Sequence, residues 1–246
     1  MAAEQPTIVA TSIQFGRTAG SVWDGDAGPA HRLAVKLARA GQHPRICIIA
    51  TGLGDNPVYL TAFYGAFSRL DAIVSHLALF PVPSVPDIRA HLLRQDLIWV
   101  AGGSTSNMLA VWRLHGVDAV LRECWQAGVV LMGTSAGSIC WHAAGTTDSF
   151  RMPLQPLTDG LGFLPYSNSP HYNSEPQRRP ATRKFVAEGV LPDGYATDDG
   201  AGLVFLGTTL HEAICVHENA RAYSITRTPD GQAVETPLPT RFLGAG

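Results

Sequence analysis

The stretch Val129-Val130-Leu131-Met132-Gly133-Thr134-Ser135-Ala136-Gly137-Ser138-Ile139-Cys140-Trp141-His142 decides how the chain is read. Its first four residues are an apolar run of the kind found in a strand covered on both faces. The run meets two glycines that bracket a serine, and Ser138–His142 can then open a helix. A Gly-x-Ser-x-Gly turn between strand and helix holds the serine on a sharp bend, with its hydroxyl presented at the end of a sheet. The helix start behind it aims backbone N–H groups at any negative charge that develops there. The bland alternative is a Gly/Ser turn in which Ser135 merely caps a helix, and the motif alone does not choose between the two.

Upstream of this turn, short apolar runs alternate with helical patterns. Strands are expected at Thr7–Thr11, Arg45–Ala50, Ala72–Leu79 and Leu97–Ala101, as well as Val129–Met132. Helices are expected at His31–Arg39, Pro57–Arg69, Pro86–Arg94, Ser106–His115 and Val117–Ala127; Asn56 before Pro57 supplies an N-cap followed by proline at the first helical position. This alternation predicts an α/β fold, a mostly parallel doubly wound sheet flanked by helices. Downstream the pattern changes. Residues 150–185, rich in Pro, Ser, Asn and Arg, read as long loops with one short helix. Gly202–Phe205, Leu210–Val216, Ala222–Thr226 and Ala233–Thr236 read as strands, with a hairpin turn at Gly207-Thr208, so antiparallel strands are added at the C-terminal end. No internal repeat or low-complexity linker interrupts the chain, and residues 1–246 read as a single α/β domain.

Composition narrows the function classes. With 46% hydrophobic and 15% charged residues and a formal net charge of −2, the chain has the makings of a large core and no basic field for nucleic acid or anionic lipid. No run of 18 apolar residues suggests a membrane span. The start, MAAEQPTIVATSIQF, lacks the basic-then-apolar pattern of a signal peptide, and Cys47, Cys124, Cys140 and Cys215 form no CxxC pair. Reduced thiols and a cytoplasmic location are therefore expected. The nine histidines show no HExxH spacing, so neither a metal nor a cofactor is expected.

A serine nucleophile needs oxyanion donors, a base and an acid. Leu97–Asn107, LIWVAGGSTSN, is a second strand running into a glycine loop. If it neighbours the serine strand, Gly102 or Gly103 can donate one oxyanion hydrogen bond and Ala136 the other. His171, after a proline in the polar segment Tyr166–Tyr172, is the candidate base, although a lone loop histidine is more often simply solvated. Asp198 or Asp199 before Gly200, or Asp148, is the candidate acid. An α/β-hydrolase order of serine, acid, histidine remains open through His211 or His217.

Taken together, VAGGSTSNML, LMGTSAGSICW, NSPHYNSEPQRR and ATDDGAGLVF, in that order, resemble the peptidase E family of serine peptidases, which includes aspartyl dipeptidases and is related to cyanophycinases. The resemblance covers most of the chain. It implies a class I glutamine amidotransferase-like fold with serine in place of cysteine. It also implies Ser135 as nucleophile, His171 as base and Asp199 as third member, where relatives often carry Glu, with Asp148 as a supporting residue. The glycine loop reads AGG where relatives often have GGG. The substrate implied is a short peptide, with an N-terminal aspartate in the dipeptidases, and Arg178, Arg179 and Arg183 are candidates to bind that carboxylate. A homodimer is compatible with this reading. A non-catalytic binding protein that kept the fold is the rival from another class.

Overall fold

Apolar runs covered on both sides become the central strands. The structure is a computed structural model that describes residues 2–17 and 25–244, with backbone alone at Gly16 and Arg17. The first half of the chain runs β1 (Thr7–Thr11), the two-residue pair β2 (Gly16–Arg17) and β3 (Gly25–Asp26), α1 (Pro29–Leu37), β4 (Arg45–Ile49), a 3₁₀ turn (Thr51–Leu53), α2 (Pro57–Ser68), β5 (Ile73–Leu77), α3 (Ile88–Leu93), β6 (Leu97–Val100), α4 (Thr105–His115), α5 (Val117–Gln126) and β7 (Val130–Thr134). The second half runs α6 (Ala136–Ile139), β8 (His142–Thr147), β9 (Gln155–Leu157), β10 (Leu164–Ser169), α7 (Arg178–Ala187), β11 (Gly194–Thr197), β12 (Ala201–Leu206), β13 (Thr209–Cys215), β14 (Ala222–Arg227), β15 (Ala233–Pro237) and β16 (Thr240–Phe242).

An eight-stranded sheet has the order β16-β13-β12-β1-β7-β6-β4-β5. Strands β1, β7, β6, β4 and β5 are mutually parallel, and the β12–β13 hairpin adds antiparallel strands beside β1. Alternation along the strands sends Cys47, Ile98, Val100 and Leu131 to one face, where Met108, Leu109, Trp112 and Leu121 of α4 and α5 cover them. Ile46, Ile48, Trp99, Val130 and Met132 go to the other, under Ala30, Ala34, Leu60 and Phe67 of α1 and α2. Each such fully buried aliphatic side chain contributes roughly 1.5–3 kcal/mol. Two covered faces explain why these strands read as continuous apolar runs. Helix α3 begins at Ile88, two residues later than expected, because Asp87 takes the N-cap and accepts a hydrogen bond from the Ala90 amide at 2.8 Å.

The second half departs from the expectation of long loops. A separate six-stranded sheet, β15-β14-β11-β10-β8-β9, occupies it, and α7 packs against it through Val186, beside Ala144, Ala196 and Ile225. Strands β9 and β10 lie within the stretch read as loop, β11 lies just after it, and β14 and β15 belong to this second sheet rather than extending the first. The polar residues of β10 misled because they are buried with partners supplied from far along the chain. The Ser167 hydroxyl donates to the Pro192 carbonyl, Asn168 Oδ1 accepts from the Ser138 hydroxyl, and Ser169 Oγ bonds Thr182 Oγ1. A strand stabilised in this way carries no hydrophobic alternation to read. Among the described residues, no helix is long and apolar enough to cross a membrane.

Candidate active site

In an open parallel sheet, ligands bind beyond the carboxyl ends of the strands, where successive connections leave for opposite faces. Here β4 leads to α2 on one face and β6 leads to α4 on the other, so a crevice opens between them. Leu53, Tyr59 and Phe63 form one wall and Gly102 and Gly103 the other, and the cavity of about 440 Å³ also contains Ser135 and His171.

Ser135 sits where β7 turns into α6, with φ 56° and ψ −117°. That backbone is strained for a residue with a side chain, at a cost of roughly 1–3 kcal/mol. It is held by the Ser135 amide donating to the Thr11 carbonyl at 3.0 Å, while the Thr11 hydroxyl donates to the Gly133 carbonyl at 3.0 Å. Both motif glycines are required by close approach: a methyl group on Gly137 would run into the Val100 carbonyl, and one on Gly133 into the Gly137 carbonyl. The glycine loop after β6 is equally near, since a methyl on Gly102 would lie 3.2 Å from Ser135 Cβ. Among the described residues, neither Gly102 nor Gly103 donates its amide to a backbone carbonyl.

His171 follows β10 with a left-handed φ of 57°. Its Nδ1–H donates to Asp199 Oδ1 at 2.5 Å, so that in the neutral ring Nε2 is the acceptor nitrogen. The Asp199 amide donates to Asn173 Oδ1 at 2.9 Å, and the carboxylate is 43% exposed. Asp198 turns the other way. It is buried, and its Oδ2 accepts from the Arg221 amide and the Tyr223 hydroxyl. Burial raises its carboxyl above the usual range. The turn that follows β11, closed by the Ala201 amide donating to the Asp198 carbonyl, thus separates two adjacent aspartates that the sequence left equivalent.

Other expected residues lie elsewhere. The Asp148 side chain is exposed, and its carbonyl accepts from the Arg151 amide. Arg178 is buried and donates to the Thr146 carbonyl and to Glu175, so it stabilises the start of α7. Arg179 lies over the rings of Tyr172 and Tyr223 and beside Glu235. Arg183 is exposed and lines a separate groove with Arg179. None of the three arginines lines the Ser135 cavity. His211 is exposed on β13, whereas His217 packs beside Gly200 and lines a neighbouring cavity of about 470 Å³ together with Asp199. Among the described residues, no group of three His, Cys, Asp or Glu side chains is placed to hold a metal ion.

Sequence reading missed Ser12, at the end of β1. Its hydroxyl accepts from the His171 amide at 3.1 Å and bonds Thr197 Oγ1 at 2.7 Å, and its carbonyl accepts from the Gly200 amide. One residue therefore ties His171 and the turn that carries Asp199 to the central sheet. Its position at the carboxyl end of a parallel strand was the available signal. The Ser138–Asn168 hydrogen bond is a second tie, joining the residue three after Ser135 to the residue three before His171.

Residues 26–213 match peptidase family S51, and the chain belongs to that family of serine-type peptidases. The uncharacterized peptidase YgaJ of Bacillus subtilis (strain 168) is 42% identical over 205 residues, 82% of this chain and 86% of its own. Peptidase E of Shewanella denitrificans is 38% identical over 80 residues, 32% of this chain and 34% of its own. A crystal structure of a peptidase from an acI-B1 Actinobacterium shares the fold, with a TM-score of 0.67 at 15% identity, covering 98% of this chain and 95% of that one.

Proposed function

We propose that the protein hydrolyses short peptides through an acyl-enzyme on Ser135, with His171 as general base and Asp199 as its orienting acid. The observation that carries this reading is the His171–Asp199 hydrogen bond, in a cavity that His171 shares with the strained Ser135. Ser135 Oγ attacks the scissile carbonyl carbon as His171 Nε2 takes its proton. The electron pair of the C=O bond moves to oxygen, where the amides of Ala136 and of Gly102 or Gly103 stabilise it. Collapse of the tetrahedral species expels the amine, which receives the proton from His171, and a water deprotonated by His171 then releases the acid and frees Ser135. The bond at Nδ1 fixes the tautomer with a free Nε2 and stabilises the imidazolium formed in between.

Resemblance to aspartyl dipeptidases would add an N-terminal aspartate to the substrate. A carboxylate taken out of water needs a cationic partner, and the arginines considered for that role are turned elsewhere. The reaction class therefore stands on the site and the aspartate on the resemblance alone.

A fluorophosphonate probe should label the wild-type protein at Ser135, and Ser135→Ala should abolish both labelling and peptide hydrolysis, a loss of roughly 10⁴-fold or more in kcat. The thermal midpoint should move little, because Ser135 Oγ faces a cavity. Full hydrolytic activity in the purified Ser135→Ala protein rejects this mechanism.

A further inference from the structure

We infer that the cavity beside Ser135 is a specificity pocket for an apolar, preferentially aromatic, side chain on the acyl side of the scissile bond. This rests on Ser135 being the nucleophile. The large apolar side chains that line this cavity with the serine are Phe15, Leu53, Tyr59, Phe63 and Trp99. The rings form one packed set. Phe63 meets Trp99 edge-on with centroids 4.9 Å apart, Phe15 lies 5.0 Å from Trp99 and 5.6 Å from Phe63, and Tyr59 stacks on Phe63 at 6.4 Å. Behind them, His31 stacks on Phe15 at 4.7 Å, and burial drives its pKa down to about 3, so the ring that backs the pocket is neutral. No Lys, Arg, Asp or Glu is among the described residues that line the cavity, and apart from Ser135 and His171 its remaining side chains, Gln14 and Thr134, are uncharged. Arg32 lines the neighbouring cavity and is paired there with Asp26 at 3.7 Å.

Such a pocket discriminates by two opposing terms. An aromatic substrate side chain exchanges water for ring edges and faces at van der Waals contact, which favours it. A carboxylate loses its hydration and meets no lysine or arginine among the described lining residues, which disfavours it. A fitted hydrophobic group in an enzyme pocket is worth roughly 10- to 200-fold in specificity, and the desolvated charge widens the gap further.

Covalent probes isolate this step from the identity of the peptide. Three α-aminoalkyl diphenyl phosphonates, carrying a benzyl, a methyl or a carboxymethyl side chain, are compared by the rate at which intact mass shows Ser135 modified, with a simple alkyl fluorophosphonate as reference. The benzyl probe should label at least tenfold faster than the methyl probe, and the carboxymethyl probe should be slowest. Phe63→Ala should reduce the benzyl-to-methyl ratio about tenfold, and Tyr59→Arg should raise the carboxymethyl rate relative to benzyl. Equal or faster labelling by the carboxymethyl probe, or a ratio that Phe63→Ala leaves unchanged in a folded protein, overturns the inference while the nucleophile reading stands. Failure of every probe, the fluorophosphonate included, to modify Ser135 overturns the nucleophile reading and the inference with it.

Discussion

Ser135 and His171 open onto one cavity, yet the two halves of the molecule hold them by different physics. The serine half is an apolar sandwich. Strands β7 and β6 are buried throughout, and the elbow is shaped by glycines that let backbone approach backbone. The histidine half is held by polar side chains with distant partners. Ser12, Asn173, Thr197 and Arg221 position His171 and the two aspartates, over sequence separations reaching 185 residues. Ser135 is therefore placed by local packing. His171 and Asp199 are placed by a network in which each hydrogen bond is directional and exchangeable with water, worth only about 0.5–1.5 kcal/mol net. Substitutions should accordingly act on structure in the first half and on alignment in the second.

The adjacent aspartates give the sharpest contrast. Asp199→Asn should cost roughly 10²–10⁴-fold in kcat/KM, because an amide at Oδ1 favours the wrong imidazole tautomer. The lower end is favoured by the exposure of this carboxylate, since solvent can partly replace it. Asp198→Asn should cost less than about tenfold, because an amide oxygen can still accept from the Arg221 amide and the Tyr223 hydroxyl. Steady-state kinetics on both variants decides the point. A crippled Asp198→Asn beside an active Asp199→Asn would put the acid one residue earlier.

Ser12→Ala tests alignment without touching the triad. The His171 amide loses its acceptor and Thr197 loses its hydroxyl partner, while the Gly200 amide keeps the backbone carbonyl of residue 12. The expected result is a fall of about tenfold in kcat with KM nearly unchanged, in line with the sensitivity of catalysis to misplacement. Ser12→Thr keeps the hydroxyl and should recover most of the rate. A shift in thermal midpoint without a change in kcat would make Ser12 purely structural.

Acid stability probes the buried histidines of both halves. His31 is fully buried with no partner at either ring nitrogen, and His142 is buried with Nδ1–H donating to the Ser138 carbonyl at 3.0 Å. Burial lowers the first pKa from 6.5 to about 3 and the second to about 4. With folded values below the unfolded one, the unfolded chain binds more protons in this window. Stability is therefore full above pH 6.5 and is lost as pH falls toward the folded values, by about 2 kcal/mol per histidine at pH 5 at roughly 1.4 kcal/mol per unit. His31→Phe should keep the stack on Phe15 and remove one of these losses. Denaturant midpoints at pH 8 and pH 5 should then differ less in the variant than in wild type. An unchanged difference would show that His31 does not titrate on unfolding in this range.

The sequence by itself determined the parallel sheet and the serine elbow. Strands buried on both faces must be continuous apolar runs, and a turn that packs carbonyl against Cα must have glycine there, so Val129–Gly137 and Leu97–Gly103 carry their structure in their composition. The β12–β13 hairpin was legible for a similar reason, through its apolar run and glycine turn. Only the tertiary structure decided the rest. Buried Ser167, Asn168 and Ser169 look like loop until Pro192, Ser138 and Thr182 are brought to them. Asp198 and Asp199 are chemically identical until the turn after β11 directs one toward Arg221 and the other toward His171. The arginines after His171 look available until α7 engages Arg178 and Arg179 with its own surroundings. Hydrophobic burial is averaged over many residues and leaves a periodic trace in the chain, whereas a hydrogen bond between two distant polar groups leaves none at either end.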